Sequence, residues 1–72
     1  MISSKQCKAA RALLDWKQSD LAEATKVSIG TVKNFESNYG KPNFITVQAL
    51  QIALEKAGIE FIGSSGVKLK KG

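Results

Sequence analysis

Two short helical segments with only two residues between them constrain this chain more than any other feature. The spacing of apolar residues predicts one helix over residues 18–25 and another over residues 28–37. Ser28 is a favourable N-cap for the second helix, because its hydroxyl can accept a backbone hydrogen bond. So short a connection makes the helices cross at a steep angle, and the small Ala22 allows a close approach. The pattern predicts a helix pair with a tight turn, which many helical bundles also contain.

Two more amphipathic segments flank this pair. Residues 4–14 carry apolar side chains at helical intervals, and Ser3 and Gln6 have the spacing of a capping box. A longer helix begins after the cap residue Asn43 and ends at Gly58. The sequence thus predicts a mainly α-helical domain of four helices within residues 1–58. The apolar stripe of the last helix consists of Phe44, Val47, Leu50, Leu54 and Ala57.

The apolar pattern changes period after the last helix. Residues 59–62 and 67–70 read as two short strands around a four-residue loop. An isolated two-stranded hairpin is marginal in water, so we expect it to pack on the helices or to pair with a second chain. We assign residues 59–72 to this hairpin and a basic tail, and interpret them, with the adjoining surface of the last helix, as a dimerisation element. Its candidate interface residues are Ile59, Phe61, Val67 and Leu69.

The residue composition argues against an enzyme. The chain has 72 residues, which is enough for one small domain. It contains a single cysteine, Cys7, and no histidine, so most zinc sites and nucleophile–histidine sites are excluded. We therefore expect no metal and no cofactor, and interpret Cys7 as a small apolar residue of the first helix. No membrane-spanning run or signal peptide is evident, which favours a cytoplasmic protein without a membrane partner.

The charge of the chain favours an anionic partner. Eleven lysine and arginine residues against six acidic residues give a net charge of +5 and a pI near 9.6. Such a charge is typical of proteins that bind nucleic acid or a charged surface. Many small basic domains also use their charge only for solubility, so charge alone leaves both interpretations open.

The segment KQSDLAEATKVSIGTVKNFE, followed by GKP and TVQAL, resembles the Cro/cI-type (XRE-like) helix-turn-helix family. The resemblance covers about residues 3–57 and implies a compact four-helix, lambda-repressor-like DNA-binding domain. It also implies a small transcriptional regulator that binds double-stranded DNA in the nucleoid. We expect this regulator to be a repressor. A module of this size reads few base pairs, so we expect a homodimer on a two-fold-symmetric operator. The matching residues are Gln18, Leu21, Ala22, Val27, Ser28, Thr31, Val32, Phe35, Glu36, Pro42, Thr46 and Val47.

The resemblance makes residues 28–37 the recognition helix, which lies in the major groove. Lys33 can bond guanine and Asn34 can pair with adenine, whereas Ile29 offers only apolar contact, for instance to a thymine methyl group. Better-known phage repressors carry polar residues at the positions of Ile29 and Gly30. We therefore expect recognition of DNA shape to contribute more here than direct hydrogen bonds to the bases. For Gly30, a close approach of the backbone to DNA and an undemanding position are equally open. The candidate base contacts are Ile29, Gly30, Thr31, Lys33 and Asn34.

The resemblance also implies phosphate contacts and one structural ion pair. Phosphates are expected at the start of the second helix and in the turn before the fourth, where helix N-termini present free N–H groups. Arg11 and Glu36 match a family pair that orients the recognition helix, because partly buried charges need a partner. The candidate phosphate contacts are Lys17, Gln18, Ser28, Asn38, Tyr39, Lys41 and Asn43, and for those in the turn before the fourth helix a merely solvated loop is equally open.

A second interpretation of the same scaffold is a protein-interaction or antitoxin-like module with weak or no sequence-specific DNA binding. Ile29 and Gly30 favour it slightly, because they make an apolar surface that reads bases poorly. The two interpretations differ in salt dependence, since DNA binding weakens steeply as salt displaces phosphate contacts.

Overall fold

Residues 1–70 form four α-helices and a β-hairpin in the order that the sequence predicts. The computed structural model describes these residues; Lys71 and Gly72, the end of the predicted basic tail, lie outside the described residues. The mainly α-helical fold with a short C-terminal hairpin is confirmed. The elements are α1 (Ser4–Leu14), α2 (Gln18–Thr25), α3 (Ile29–Glu36), α4 (Phe44–Lys56), β1 (Ile59–Ile62) and β2 (Gly66–Leu69).

Side-chain caps determine where three of these helices begin. Ser3 and Gln6 form the predicted capping box of α1: the Gln6 N–H donates to Ser3 Oγ over 3.1 Å, and the Ser3 N–H donates to Gln6 Oε1 over 2.9 Å. Ser28 Oγ accepts the N–H of Thr31 at 3.1 Å, and Asn43 caps α4 in the same manner. These bonds satisfy N–H groups that have no partner inside the helix, so the helix starts are local properties of the sequence.

The turn between α2 and α3 is as tight as the sequence predicts. Lys26 has a left-handed backbone with φ 65°, which reverses the chain within two residues before Ser28 caps α3. Ala22 is buried where the helices pack, and its small side chain allows the backbones to approach. This turn positions α3 with one face against the core and the other in solvent.

The core lies between α1, α2, α3 and α4, and β1 closes one end of it. Phe44, predicted on the buried stripe of α4, is instead 59% exposed. It is the first residue of α4 and follows an exposed turn, so the buried stripe begins one turn later, at Val47. Leu13 of α1 is also exposed. The buried apolar residues are Ile2, Cys7, Ala10, Leu21, Ala22, Val32, Phe35, Val47, Leu50, Leu54 and Ile59.

The hairpin is one residue tighter than predicted. β1 and β2 are antiparallel, and Ile62 pairs with Gly66, so the loop has three residues rather than four. A Cβ atom on Gly66 would lie 2.7 Å from the Ile62 carbonyl oxygen. Glycine is therefore the residue that fits opposite Ile62 without a shift of the backbone.

Gln6 holds this hairpin against α1. Its side chain is buried, and Nε2 donates to the Gly63 carbonyl over 3.1 Å and to the Gly66 carbonyl over 3.0 Å. Ile59 of β1 is buried in the core below. The hairpin therefore packs on the helices of its own chain, and one residue serves both as a helix cap and as an anchor for the turn.

Candidate nucleic-acid interface

The helix α3 has two distinct faces. Val32, Phe35 and Glu36 recur at helical spacing, so they lie on one side of α3. That side is buried against the other helices. The opposite side carries most of the predicted base-contact residues. Ile29, Gly30, Lys33 and Asn34 are exposed there, and Thr31 is half-buried at the edge.

Ser28 and Thr31 bond to each other at the start of α3. Their hydroxyl oxygens are 2.8 Å apart, and Ser28 Oγ also accepts the Thr31 N–H. Ser28 is predicted as a phosphate contact, and in the structure its hydroxyl oxygen accepts the N-cap hydrogen bond of α3. Thr31, predicted as a base contact, shares that hydroxyl pair. The two side chains stabilise the first turn of the helix whatever they contact outside the chain.

An ion pair ties the C-terminal end of α3 to α1. Arg11 donates from Nε to Glu36 Oε2 and from Nη2 to Glu36 Oε1, each over 2.6 Å. Arg11 Nη1 donates to the Trp16 carbonyl over 3.0 Å, so it also holds the segment that leads into α2. Two parallel bonds between a guanidinium and a carboxylate fix direction as well as distance. This pair therefore joins α3 to α1 in a defined direction.

Two further donors reach the same carboxylate, and sequence reasoning missed both contacts. Gln18 Nε2 donates to Glu36 Oε1 over 3.0 Å, and the Cys7 thiol donates to Glu36 Oε2 over 3.3 Å. Cys7 and Arg11 are four residues apart on α1, so helical spacing was a signal that they share a face. Gln18 is predicted as a phosphate contact. Its side-chain amide has two N–H groups; one donates to Glu36, and the second can still donate to a phosphate.

The pKa values in this cluster follow from burial and hydrogen bonding. Burial disfavours ionisation of Glu36, but hydrogen bonds from Arg11, Gln18 and Cys7 outweigh it and hold the pKa of Glu36 below its ordinary value. Burial, then the hydrogen bond to Glu36, raises the pKa of the Cys7 thiol far above its ordinary value. The cluster thus contains an ionised carboxylate and a neutral thiol at neutral pH.

A groove of about 390 Å³ lies between α3 and the turn that leads into α4. Asn38 and Gly40 adopt left-handed backbones with φ 59° and 71°, which fold the turn back beside α3. The groove brings predicted base contacts together with predicted phosphate contacts from a different part of the chain. Its lining residues are Thr31, Asn34, Phe35, Tyr39, Gly40, Lys41, Pro42, Asn43 and Thr46.

The start of α2 presents the other predicted phosphate contacts. Lys17 is exposed, and its N–H donates to the Asp20 carboxylate over 2.8 Å, which closes the first turn. Gln18 follows as the first residue of the helix and is half-buried beside Glu36. The carboxylate of Asp20 offsets part of the positive potential at this helix end.

The predicted dimer residues divide between core and surface. Ile59 is 1% exposed, and Phe61 and Val67 pack against the core of their own chain, whereas Leu69 is 39% exposed. The first three of these side chains face the apolar core, and Gln6 of α1 bonds to the turn of the same hairpin. The larger exposed apolar side chains on the hairpin and on α4 are Phe44, Ile45, Ile52 and Ile62.

Within residues 1–70, no helix combines the length and the apolar character that crossing a bilayer requires.

Comparison with known proteins adds one match. A family model described as helix-turn-helix matches residues 8–61, which include all four helices apart from the first turn of α1, and most of β1. No curated protein matches the chain.

Proposed function

Because the chain belongs to the Cro/cI-type helix-turn-helix family of DNA-binding regulators, we propose that it recognises a specific sequence in double-stranded DNA and acts as a small repressor. In this proposal α3 lies in the major groove, and α2 crosses above it against the backbone. The observation that carries the proposal is the exposed face of α3, with Lys33 and Asn34 directed to solvent beside a groove that contains Lys41.

Base recognition rests on three side chains of α3. Lys33 and Asn34 are exposed, and their donors match the guanine and adenine edges of the major groove. Ile29, 42% exposed, supplies apolar contact. Gly30 and Thr31 belong to the same surface. Thr31 is half-buried and lines the groove.

Phosphate contacts flank this surface on both sides. On one side are Lys17 and the second side-chain N–H of Gln18, at the start of α2. On the other side are Tyr39, which is 74% exposed, and Lys41 in the turn before α4. Helix N-termini favour phosphate because their N–H groups are unpaired and the helix dipole is positive there. The remaining members of the proposed set are Ser28, Asn38 and Asn43.

The active species in this proposal is a homodimer in the cytoplasm, bound to the nucleoid. A single module of this size reads few base pairs, so two copies on a two-fold operator supply the affinity. The proposed interface draws on three exposed apolar side chains: Ile62 on the outer face of the hairpin, Leu69 at the end of its inner face, and Ile52 on the outer face of α4. Phe61 and Val67 share the inner face with Leu69 and pack against the core, and Ile59 stays in the core.

Selection of bound duplexes from random DNA at two salt concentrations tests the function. We expect an enriched palindrome whose affinity falls steeply with salt, with a slope that reports the phosphates contacted. The variant Lys33→Ala is expected to relax base preference in the selected site. Lys68→Ala, which removes an exposed lysine from β2, is the matched control and should leave preference unchanged. Absence of any enriched duplex would contradict the proposal.

The second candidate is a protein-interaction or antitoxin-like module on the same scaffold. The exposed apolar side chain of Ile29 on α3 is the observation that favours it. In that case the selection experiment returns no palindrome, and binding to any duplex is weak and independent of sequence.

A further inference from the structure

Gly30 occupies a position where the fold itself does not need glycine. It lies in the first turn of α3, is exposed, and is not among the residues with positive φ. Among residues 1–70, and apart from its chain neighbours and the backbone of its own helix, a Cβ atom built there would meet only Ser28 Oγ, at 3.9 Å, which is ordinary van der Waals contact. Gly66 is the opposite case, because its Cβ would collide with backbone at 2.7 Å.

Glycine at this position also works against the helix. It loses more conformational freedom on folding than alanine does, and so weakens a helix by up to about 1 kcal/mol. Since neither backbone conformation nor packing among residues 1–70 requires it, a requirement for glycine would come from a partner that this part of the chain contacts.

The surroundings of Gly30 indicate what that partner meets. Ile29, just before it, exposes 42% of its side chain. The hydroxyls of Ser28 and Thr31 lie 2.8 Å apart and are engaged with each other. The first turn of α3 therefore presents an isoleucine beside bare backbone, next to two hydroxyls that are bonded to each other and keep one O–H between them. Such a surface suits close contact with an apolar group better than hydrogen-bonded readout.

We propose that Gly30 is a clearance position at which the α3 backbone rests against the edges of the base pairs, with Ile29 packed on a thymine methyl group. This inference rests on the proposed function and names how that surface reads DNA. A thymine methyl is the apolar group that the major groove offers, and it distinguishes thymine from cytosine. A side chain at position 30 would hold the backbone away from the base pairs and lift Ile29 off the methyl group.

The first test measures stability and affinity on the same variant. Gly30→Ala is expected to unfold at the same temperature as the wild-type chain or a higher one, because alanine favours the helix and has space. Its affinity for the duplex selected by the wild-type chain is expected to fall at least about tenfold, the scale of an overpacked contact. Ala12→Gly on the exposed side of α1 is the matched control: it lowers stability and leaves affinity unchanged.

The second test removes the methyl group from the DNA. Each thymine of the selected half-site is replaced in turn by deoxyuridine, which keeps base pairing and lacks the methyl group. One replacement is expected to weaken binding of the wild-type chain about fourfold, the factor for one buried methyl group. The same replacement should leave Ile29→Ala unaffected, since that variant has no side chain to contact the methyl group.

Each outcome bears on the inference separately from the proposed function. If the wild-type chain selects a palindrome and Gly30→Ala binds it equally well, the clearance role is overturned and the DNA-binding function stands. If no deoxyuridine replacement distinguishes wild type from Ile29→Ala, the methyl contact is overturned. If the wild-type chain selects no duplex, the proposed function fails and the inference fails with it.

Discussion

Arg11 and Glu36 are joined by two hydrogen bonds of 2.6 Å that connect α1 to the C-terminal end of α3. Glu36 is 3% exposed and Arg11 17%, so water screens this pair little. The same carboxylate also accepts bonds from Gln18 and Cys7. One buried anion thus connects α1, α2 and α3, and we expect this connection to orient the solvent-facing side of α3.

Removal of either partner of this pair is expected to destabilise the fold strongly. Arg11→Met leaves the Glu36 charge buried, and Glu36→Gln leaves the guanidinium without its counter-charge, each at a cost of about 3 kcal/mol. The double variant should be less damaged than the sum of the two single variants. Urea denaturation of all four chains gives the coupling free energy, and additive losses would show that the pair does not orient α3.

The stability of the fold is expected to fall in acid through Glu36. Its folded pKa lies below the ordinary value of 4.5, so the folded state binds the proton less readily than the unfolded state. The stabilisation is therefore complete above pH 4.5 and is lost as the pH falls through the lower, folded pKa. Denaturation at a series of pH values should show this loss in the wild-type chain and a smaller loss in Glu36→Gln.

The Cys7 thiol is expected to react only when the protein opens. Its side chain is 0% exposed, and its pKa is raised by burial and by the bond to Glu36, so the reactive thiolate is absent from the native state. Modification by a disulfide reagent should be slow in buffer and rapid in denaturant. Fast modification of the native chain would show that the packing of α1 on the core does not cover the thiol.

Replacement of Gln6 is expected to release the hairpin from α1. Gln6→Ala removes two bonds to the Gly63 and Gly66 carbonyls and one partner of the capping box, with an expected loss of about 2–3 kcal/mol. Hydrogen exchange of the β1 and β2 amides should accelerate. Gln48→Ala on the exposed face of α4 is the control. Equal exchange rates in the two variants would show that Gln6 does not hold the hairpin in place.

Self-association is expected to depend on the outer surface of α4 and the hairpin. Removal of the hairpin itself is a poor test, because Ile59 belongs to the core and its loss would unfold the chain. Ile52→Lys and Ile62→Lys change exposed side chains, and each should shift sedimentation equilibrium toward monomer. The control is Leu13→Lys on α1, which is 43% exposed and outside the proposed interface. A dimer unchanged in both test variants would place the interface elsewhere.

Predictions from local signals succeeded in this chain. Ser3, Ser28 and Asn43 were predicted as helix caps, and each caps its helix, since a cap acts on N–H groups two or three residues away. Phe44 was wrongly assigned to the core, because helical periodicity gives the direction of a side chain but not whether another element covers it. The hairpin loop was predicted one residue too long, because the alternation of apolar residues does not show that Ile62 pairs with Gly66.

The sequence by itself determined the four helices, the tight turn between α2 and α3, and the family to which this helix pair belongs, because caps and apolar spacing act within a few residues. Only the tertiary structure decided that Glu36 collects donors from Cys7, Arg11 and Gln18, and that Gln6 holds a turn some sixty residues away. It also decided that Gly30 has free space around it. These facts depend on distances between segments far apart in the chain, and packing alone sets those distances.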